Sequence, residues 1–214
     1  MGQASSRCGV ILAAGESSRM GRDKALLSWP PQAGGSPAGG TFLSATIELL
    51  APYVDIVLVV AGKNARDLAP VVYANGASLV VNREPDLGQF SSLQAGLQDV
   101  LNRGRDAAMI TLVDRPPVKP ATIEALDDAF DRGLRQWKWA VVPEYQGKHG
   151  HPILVGREMM EVFLKAPASA SAREIEHAHQ DKIVYLAVDD PLVVADVNTP
   201  EQYAALPAQM LHSS

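Results

Sequence analysis

CGVILAAGESSRMGRDKALL, residues 8–27, is the stretch on which the fold reading turns. Residues 10–14 form an unbroken apolar run, as expected of a parallel strand buried on both faces rather than one exposed on alternate sides. Gly15 then frees the backbone where a side chain would obstruct a close-lying ligand. Arg19, Arg22 and Lys24 follow before the chain turns apolar again. Backbone N–H groups in such a turn form an anion-binding concavity, and nearby cations add fixed positive charge. The residues thus point to a strand feeding a loop that handles a polyphosphate, although a first strand and a glycine turn with scattered basic residues also occur in α/β proteins without that role. Two familiar phosphate loops are excluded. Five residues separate Gly15 from Gly21 and no Gly-Lys-Ser/Thr follows, so this is not a P-loop. The glycine spacing of the dinucleotide fingerprint is absent as well.

The wider chain bounds the answer. With 214 residues, 47% hydrophobic and 20% charged, it is expected to be one domain with one sizeable core. A net charge of −5 argues against a nucleic-acid surface. Cys8 is the single cysteine, which excludes an intramolecular disulfide and is expected inside the first strand as a small buried hydrophobe. No apolar run approaches the ~20 residues of a membrane helix, so neither a membrane association nor an export signal is expected and the reading is cytoplasmic.

Beyond residue 27 the segment SWPPQAGGSPAGG reads as a loop. Helices are expected at 41–50, with Thr41 as N-cap, and at 65–73; a third begins at Ser91 or Ser92. Further helices fall near 120–133, 157–164 and 171–177, and a last one is opened by Thr199 and Pro200. Strands are expected at 55–61, 78–81, 107–113, 138–142 and 183–188, and residues 145–156 read as a turn and a short strand. Strands alternating with helices throughout imply an α/β, three-layer Rossmann-like fold with a mostly parallel sheet. Ligands of such a sheet lie beyond the carboxyl ends of its strands. Asp114 follows MITLV at one such end, and Pro116 and Pro117 hold the chain extended after it. A carboxylate there suits Mg²⁺, which binds through one or two carboxylates plus substrate phosphates; a turn or N-cap aspartate is the alternative. His149 and His151 alternate around Gly150 without the further ligands a zinc site needs. Asp127, Asp128 and Asp131 read as a solvated helix face.

The loop LAAGESSRMGRDK resembles the signature of nucleotidyltransferases of the MobA-like NTP transferase superfamily. Its ending Gly-Arg-Asp-Lys, without the proline of sugar-phosphate enzymes, is similar to the molybdopterin cytidylyl- and guanylyltransferase branch, and Leu-Ala-Ala-Gly resembles the cytidylyl side. The resemblance implies that Leu12, Ala13, Ala14 and Gly15 contact base and ribose, while Arg19 and Lys24 hold the triphosphate. VDRPP resembles the metal-ligand segment at Asp114 and Pro116 but carries Arg115 where the cytidylyl pattern differs. DVNTP resembles the second metal segment, so Asn198 is the matching ligand and Asp196 the fallback. The stretch from Asn82 to Gly96 resembles the base-recognition segment, with Gly88 approached by the base and Ser91 and Ser92 offering hydroxyls, unless one of them only caps the helix. Gly150, His151 and Pro152 resemble the acceptor-side Gly-His-Pro, whereas ASASARE keeps only Ala172 and Arg173 of the family's next segment. What the resemblance implies is a Mg²⁺-dependent transfer of CMP from CTP to a phosphorylated acceptor such as molybdopterin, with a molybdoenzyme or its chaperone as partner. GTP- or sugar-phosphate-specific transfer, or a nucleotide-binding sensor, stand as alternatives.

Overall fold

A computed structural model describes residues 6–15, 21, 23–31, 40–167 and 169–211, the last five as backbone only. Eight strands build one sheet in the order β3-β2-β1-β4-β7-β5-β6, with β8 pairing β5. The first half is Rossmann-like. Strands β1 (Arg7–Leu12), β2 (Ile56–Ala61), β3 (Ser78–Val81) and β4 (Ala107–Leu112) run parallel. Helices α1 (Phe42–Leu50), α2 (Ala65–Ala74) and α3 (Gln89–Asn102) connect them. Cys8 is buried within β1, as expected.

The second half departs from simple alternation. After β4 the chain forms α4 (Pro120–Leu134), β5 (Ala140–Tyr145) and the two-residue β6 (Lys148–His149), and then β7 (Ile153–Gly156) inserts between β4 and β5. Strand β7 pairs antiparallel with both neighbours. No helix separates it from β5, and a strand that returns without a crossover must run back antiparallel. The expectation of strand–helix alternation throughout is corrected here: the sheet is mixed, though mostly parallel. Helices α5 (Arg157–Lys165) and α6 (Ala172–Ala178) precede β8 (Ile183–Ala187), which is parallel to β5, and α7 (Pro200–Leu211) closes the chain.

Both faces of the sheet are covered, which makes the three layers. Ile11, Val57, Val59 and Met109 meet Leu43, Ile47, Leu68, Ile123 and Phe130 from α1, α2 and α4. Val10, Leu58, Val60 and Ile110 meet Leu93, Leu97, Met159 and Phe163 from α3 and α5. Each such side chain stabilises the fold by about 1.5–3 kcal/mol when taken fully out of water. Successive residues of β1 therefore feed opposite cores, the physical reason for its unbroken apolar run. A third, small cluster joins Leu27 and Phe42 to Val197 and Leu206, with Trp29 and Tyr203 against it. The Tyr203 hydroxyl donates to the Ser28 carbonyl at 2.7 Å. This cluster brings the C-terminal segment onto the residues that follow Lys24.

Two local readings change. Helix α3 begins at Gln89 with Gly88 as N-cap, at φ 96°, so Ser91 and Ser92 lie inside its first turn rather than capping it. The left-handed backbone that glycine supplies lets the preceding turn, Pro85–Leu87, pass directly into the helix. Asp127 and Asp131 are not merely solvated: both pair with the guanidinium of buried Arg7, which also lies over the Phe130 ring. Among the described residues no helix is long and apolar enough to cross a membrane.

Candidate active site

A cleft of about 480 Å³ opens at the carboxyl ends of β1 and β4. The end of β1 supplies Leu12, Ala14 and Gly15 to its lining, and the end of β4 supplies Val113 and Asp114. Gly88, Gln89 and Ser92 line it from the start of α3, and Lys63, Pro85 and Asp86 from neighbouring turns. Lys24 and Asn198 complete it. Residues 174 apart in the chain are thus brought together.

Lys24 owes its position to its neighbours. Asp23 Oδ1 accepts the Ala25 N–H at 2.9 Å and so starts the 3-10 turn Lys24–Leu26. Ala25 and Leu27 are buried and anchor the turn, while Lys24 lines the cleft. Its ammonium donates to Asn198 Oδ1 at 2.8 Å and lies 3.4 Å from Asp114 Oδ2. The side chain is only 13% exposed. Asn198 is itself held: its Nδ2 donates to Asp196 Oδ2 at 2.8 Å, which aims Oδ1 at Lys24, and its backbone N–H donates to Gln202 Oε1 at 2.7 Å.

Asp114 sits where β4 ends and the C-terminal segment crosses. Its carbonyl accepts the Val197 N–H at 2.9 Å, and the Arg115 guanidinium donates to the Ala195 carbonyl at 3.0 Å. Asp114 Oδ1 is buried with no hydrogen-bond partner. A buried carboxylate oxygen left unpartnered is costly unless something else satisfies it. Asp114 Oδ1 and Asn198 Oδ1, whose residues both line the cleft, are oxygen donors of the kind a hard divalent cation takes. Among the described residues there is no group of three or more His, Cys, Asp or Glu that could hold a metal. A cation here would therefore complete its shell with phosphate oxygens and water, as Mg²⁺ usually does.

Other expected site residues fall behind the lining. Ala13 is buried, its N–H donating to the Val60 carbonyl at 2.8 Å and its carbonyl accepting from Asn64. Asn82 is buried too; its amide donates to the Ser91 and Ser92 hydroxyls at 2.9 and 3.0 Å, and its Oδ1 accepts the Glu84 N–H. Asn82 thus shapes the loop that presents Gly88 and Ser92, while Ser91 is spent on the Gly88 and Glu84 carbonyls. Arg19 lies outside the described residues, as does Arg22.

Gly150, His151 and Pro152 do not line the cleft. Gly150 packs against the Val193 carbonyl, which accepts the His151 N–H at 2.9 Å. His151 Nδ1 is buried without a partner, and burial, followed by the Arg115 charge, pushes its pKa down to about 3. Pro152 borders a separate small hollow with Arg115, Pro116 and Pro117.

Sequence reasoning missed Asp23, Lys63, Asn64, Asp86 and Gln89. The signal for Lys63 and Asn64 was present, because GKN follows directly on a buried strand and so stands at the ligand edge of the sheet.

Comparison with known proteins agrees with this fold. A model of the MobA-like NTP transferase domain matches residues 9–183. The chain is 32% identical over 199 residues to a probable molybdenum cofactor guanylyltransferase of Rhodopirellula baltica, covering 90% of this chain and 87% of that protein. It is 26% identical over 196 residues to the molybdenum cofactor cytidylyltransferase of Escherichia coli, covering 91% and 92%. Among solved structures, Rv0371c of Mycobacterium tuberculosis superposes with a TM-score of 0.76 at 27% identity, over 94% of this chain and 98% of that one. The same protein has been solved as a complex with manganese, at a TM-score of 0.72 and 26% identity over the same shares of both chains. The domain match begins inside β1 and ends at the start of β8, and so takes in every strand that shapes the cleft. On that extent of likeness the chain belongs to the MobA-like NTP transferase family and is a nucleotidyltransferase.

Proposed function

We propose that this enzyme transfers CMP from CTP to a phosphorylated acceptor of the molybdopterin type and releases pyrophosphate. The observation that carries the reading is the convergence of Lys24, Asp114 and Asn198 in the lining of a cleft that Ala14 and Gly15, after β1, also line. The chemistry needs little else. An acceptor phosphate is already ionised, so no general base is required when its oxygen attacks the α-phosphorus in line. Catalysis is then positioning and charge neutralisation.

Each side chain has a role in that scheme. Lys24 moves its ammonium from Asn198 onto the α-phosphate, where negative charge develops. Arg19 takes the leaving pyrophosphate. Asp114 and Asn198 hold the divalent ion, Mg²⁺ in the cell, and Asp196 orients the Asn198 amide rather than binding the ion itself. When bound, that ion neutralises phosphate charge and aligns the oxygens for displacement. Asn82 and Ser91 hold the base-side loop in shape, and Leu12, Ala14, Gly15, Gly88 and Ser92 form the surface against which base and ribose lie.

The preference for CTP rests on Ala14. The residue lines the cleft, where a glycine would leave more room, and a pyrimidine needs less space than a purine. The kinship with relatives named for molybdenum cofactor transfer supports an acceptor of that class, with a molybdoenzyme or its chaperone receiving the product in the cytoplasm.

The test is a thermal-shift comparison of CTP, GTP, ATP and UTP, with and without Mg²⁺, followed by pyrophosphate release with molybdopterin as acceptor. A ligand at ~100 times its dissociation constant adds ~2.7 kcal/mol of stability, which a melting curve resolves. CTP with Mg²⁺ giving the largest shift, and release only in the presence of acceptor, is the expected result. A larger shift with GTP overturns the base assignment, and binding without release overturns the transfer.

A further inference from the structure

The structure assigns Asn64 as the positioning residue that ties both ends of the phosphate loop together and, through Asp23, sets the place of Lys24; the catalytic part of this inference rests on the transfer reaction proposed above. Asn64 occupies the N-cap position of α2, where an asparagine ordinarily accepts a backbone N–H from the first helical turn. It makes no such bond. Its side chain instead turns back toward the cleft. Oδ1 accepts the Gly62 N–H at 3.1 Å, and Nδ2 donates to the Ala13 carbonyl at 2.9 Å and to Asp23 Oδ2 at 2.6 Å. Both Nδ2 hydrogens are thereby used.

Ala13 and Asp23 flank residues 14–22, the stretch that carries Gly15 and Arg19. One amide therefore holds Ala13 and Asp23, on either side of that stretch, at a fixed separation. The link to Lys24 is direct, because the other oxygen of the Asp23 carboxylate accepts the Ala25 N–H and opens the turn that Lys24 begins. The turn that presents Asn64 is built for close approach as well. A Cβ on Gly62 would stand 3.1 Å from the Ala14 carbonyl oxygen and 3.0 Å from Pro85 Cβ. Glycine at that point brings the turn after β2 against the loop, and Asn64 fastens it there.

Asn64→Asp is the discriminating variant. It keeps an oxygen for the Gly62 N–H but replaces the donor with a carboxylate oxygen facing the Ala13 carbonyl and the Asp23 carboxylate. Asn64→Ala removes all three bonds, and Arg66→Ala, in the exposed first turn of α2, is the control.

The experiment combines amide hydrogen exchange at Ala25, steady-state pyrophosphate release and a double-mutant cycle with Asp23→Ala. The expected result for both Asn64 variants is exchange at Ala25 faster by about tenfold or more. Turnover should fall by about a hundredfold, the scale of an ångström of misplacement, with kcat reduced more than KM for the nucleotide is raised. Adding Asn64→Ala to Asp23→Ala should cost little further, because the two act as one unit. Unchanged exchange at Ala25, additive losses in the cycle, or wild-type turnover in Asn64→Asp would each overturn the assignment. Should Asn64→Ala fail to fold, Asn64→Asp carries the same readouts. Should the wild type release no pyrophosphate with any nucleotide, the proposed function falls, while exchange at Ala25 still decides what Asn64 does to the loop.

Discussion

The Lys24 ammonium donates to Asn198 Oδ1 at 2.8 Å and lies 3.4 Å from Asp114 Oδ2, so among the described residues a carboxylate and an amide oxygen both meet the one cation. Under the proposed transfer, truncating either charged partner removes a working group and leaves the other charge unbalanced. Lys24→Ala and Asp114→Ala should each lower turnover by at least about two orders of magnitude, the usual loss of a preorganised electrostatic contact. Circular dichroism should be unchanged, since neither side chain belongs to the core. Near-normal pyrophosphate release in either variant would remove the cleft from the reaction.

If the proposed ion sits on Asp114 and Asn198, the ammonium competes with it for that place. A neutral Lys24→Met variant should bind free Mn²⁺ about tenfold more tightly than the wild type in a paramagnetic-resonance titration, because a like charge a few ångströms away no longer opposes it. Its affinity for the nucleotide should fall in the same preparation. Equal Mn²⁺ binding by both proteins would show that the ion and the ammonium do not share a place.

Much of this was legible because local pattern and position coincide. The apolar runs of β1, β2 and β4 are buried on both faces, and Asp114 follows directly on one of them. Three things were not legible, each for a physical reason. An apolar run carries no direction, so ILVG gave no sign that β7 would insert antiparallel between β4 and β5. A serine near a helix start looks like a cap, but Gly88 had already turned the chain and left Ser91 to satisfy carbonyls behind it. Asn64 meets Ala13 and Asp23 across 51 and 41 residues, and only the parallel pairing of β1 with β2 brings those turns together. Gly150, His151 and Pro152, which match the family's acceptor-side pattern, are not among the residues that line the cleft, and His151 Nδ1 is buried.

His151 should make the protein acid-sensitive. Its folded pKa lies near 3, below the ordinary value of 6.5, because burial and then the Arg115 charge oppose the imidazolium. Between those values the unfolded chain binds more protons than the folded one, so stability is greatest above pH 6.5 and is lost as pH falls toward 3. The slope from one group approaches about 1.4 kcal/mol per pH unit. Urea unfolding at pH 7, 5.5 and 4.5 should show His151→Gln losing less stability on acidification than the wild type. Parallel pH profiles for the two would mean that His151 is not held neutral in the fold.

Two glycines near sites of expected binding should separate function from folding. At Gly15 an added Cβ meets nothing within 4 Å, yet the residue lines the cleft. Gly15→Ala should therefore keep its melting temperature while its methyl group intrudes on the nucleotide, lowering affinity by about tenfold, a loss of ~1.4 kcal/mol. At Gly150 an added Cβ would stand 2.2 Å from the Val193 carbonyl oxygen, a backbone atom that also accepts the His151 N–H. Such a clash can be relieved only by moving backbone, and overpacking of this kind typically costs ~1–3 kcal/mol or more. Gly150→Ala should melt several degrees lower, while its remaining folded fraction binds nucleotide normally because Gly150 does not touch the cleft. Calorimetric titration and melting of both variants decide the matter: weakened nucleotide binding by folded Gly150→Ala, with stability intact, would place the segment before Pro152 against the nucleotide.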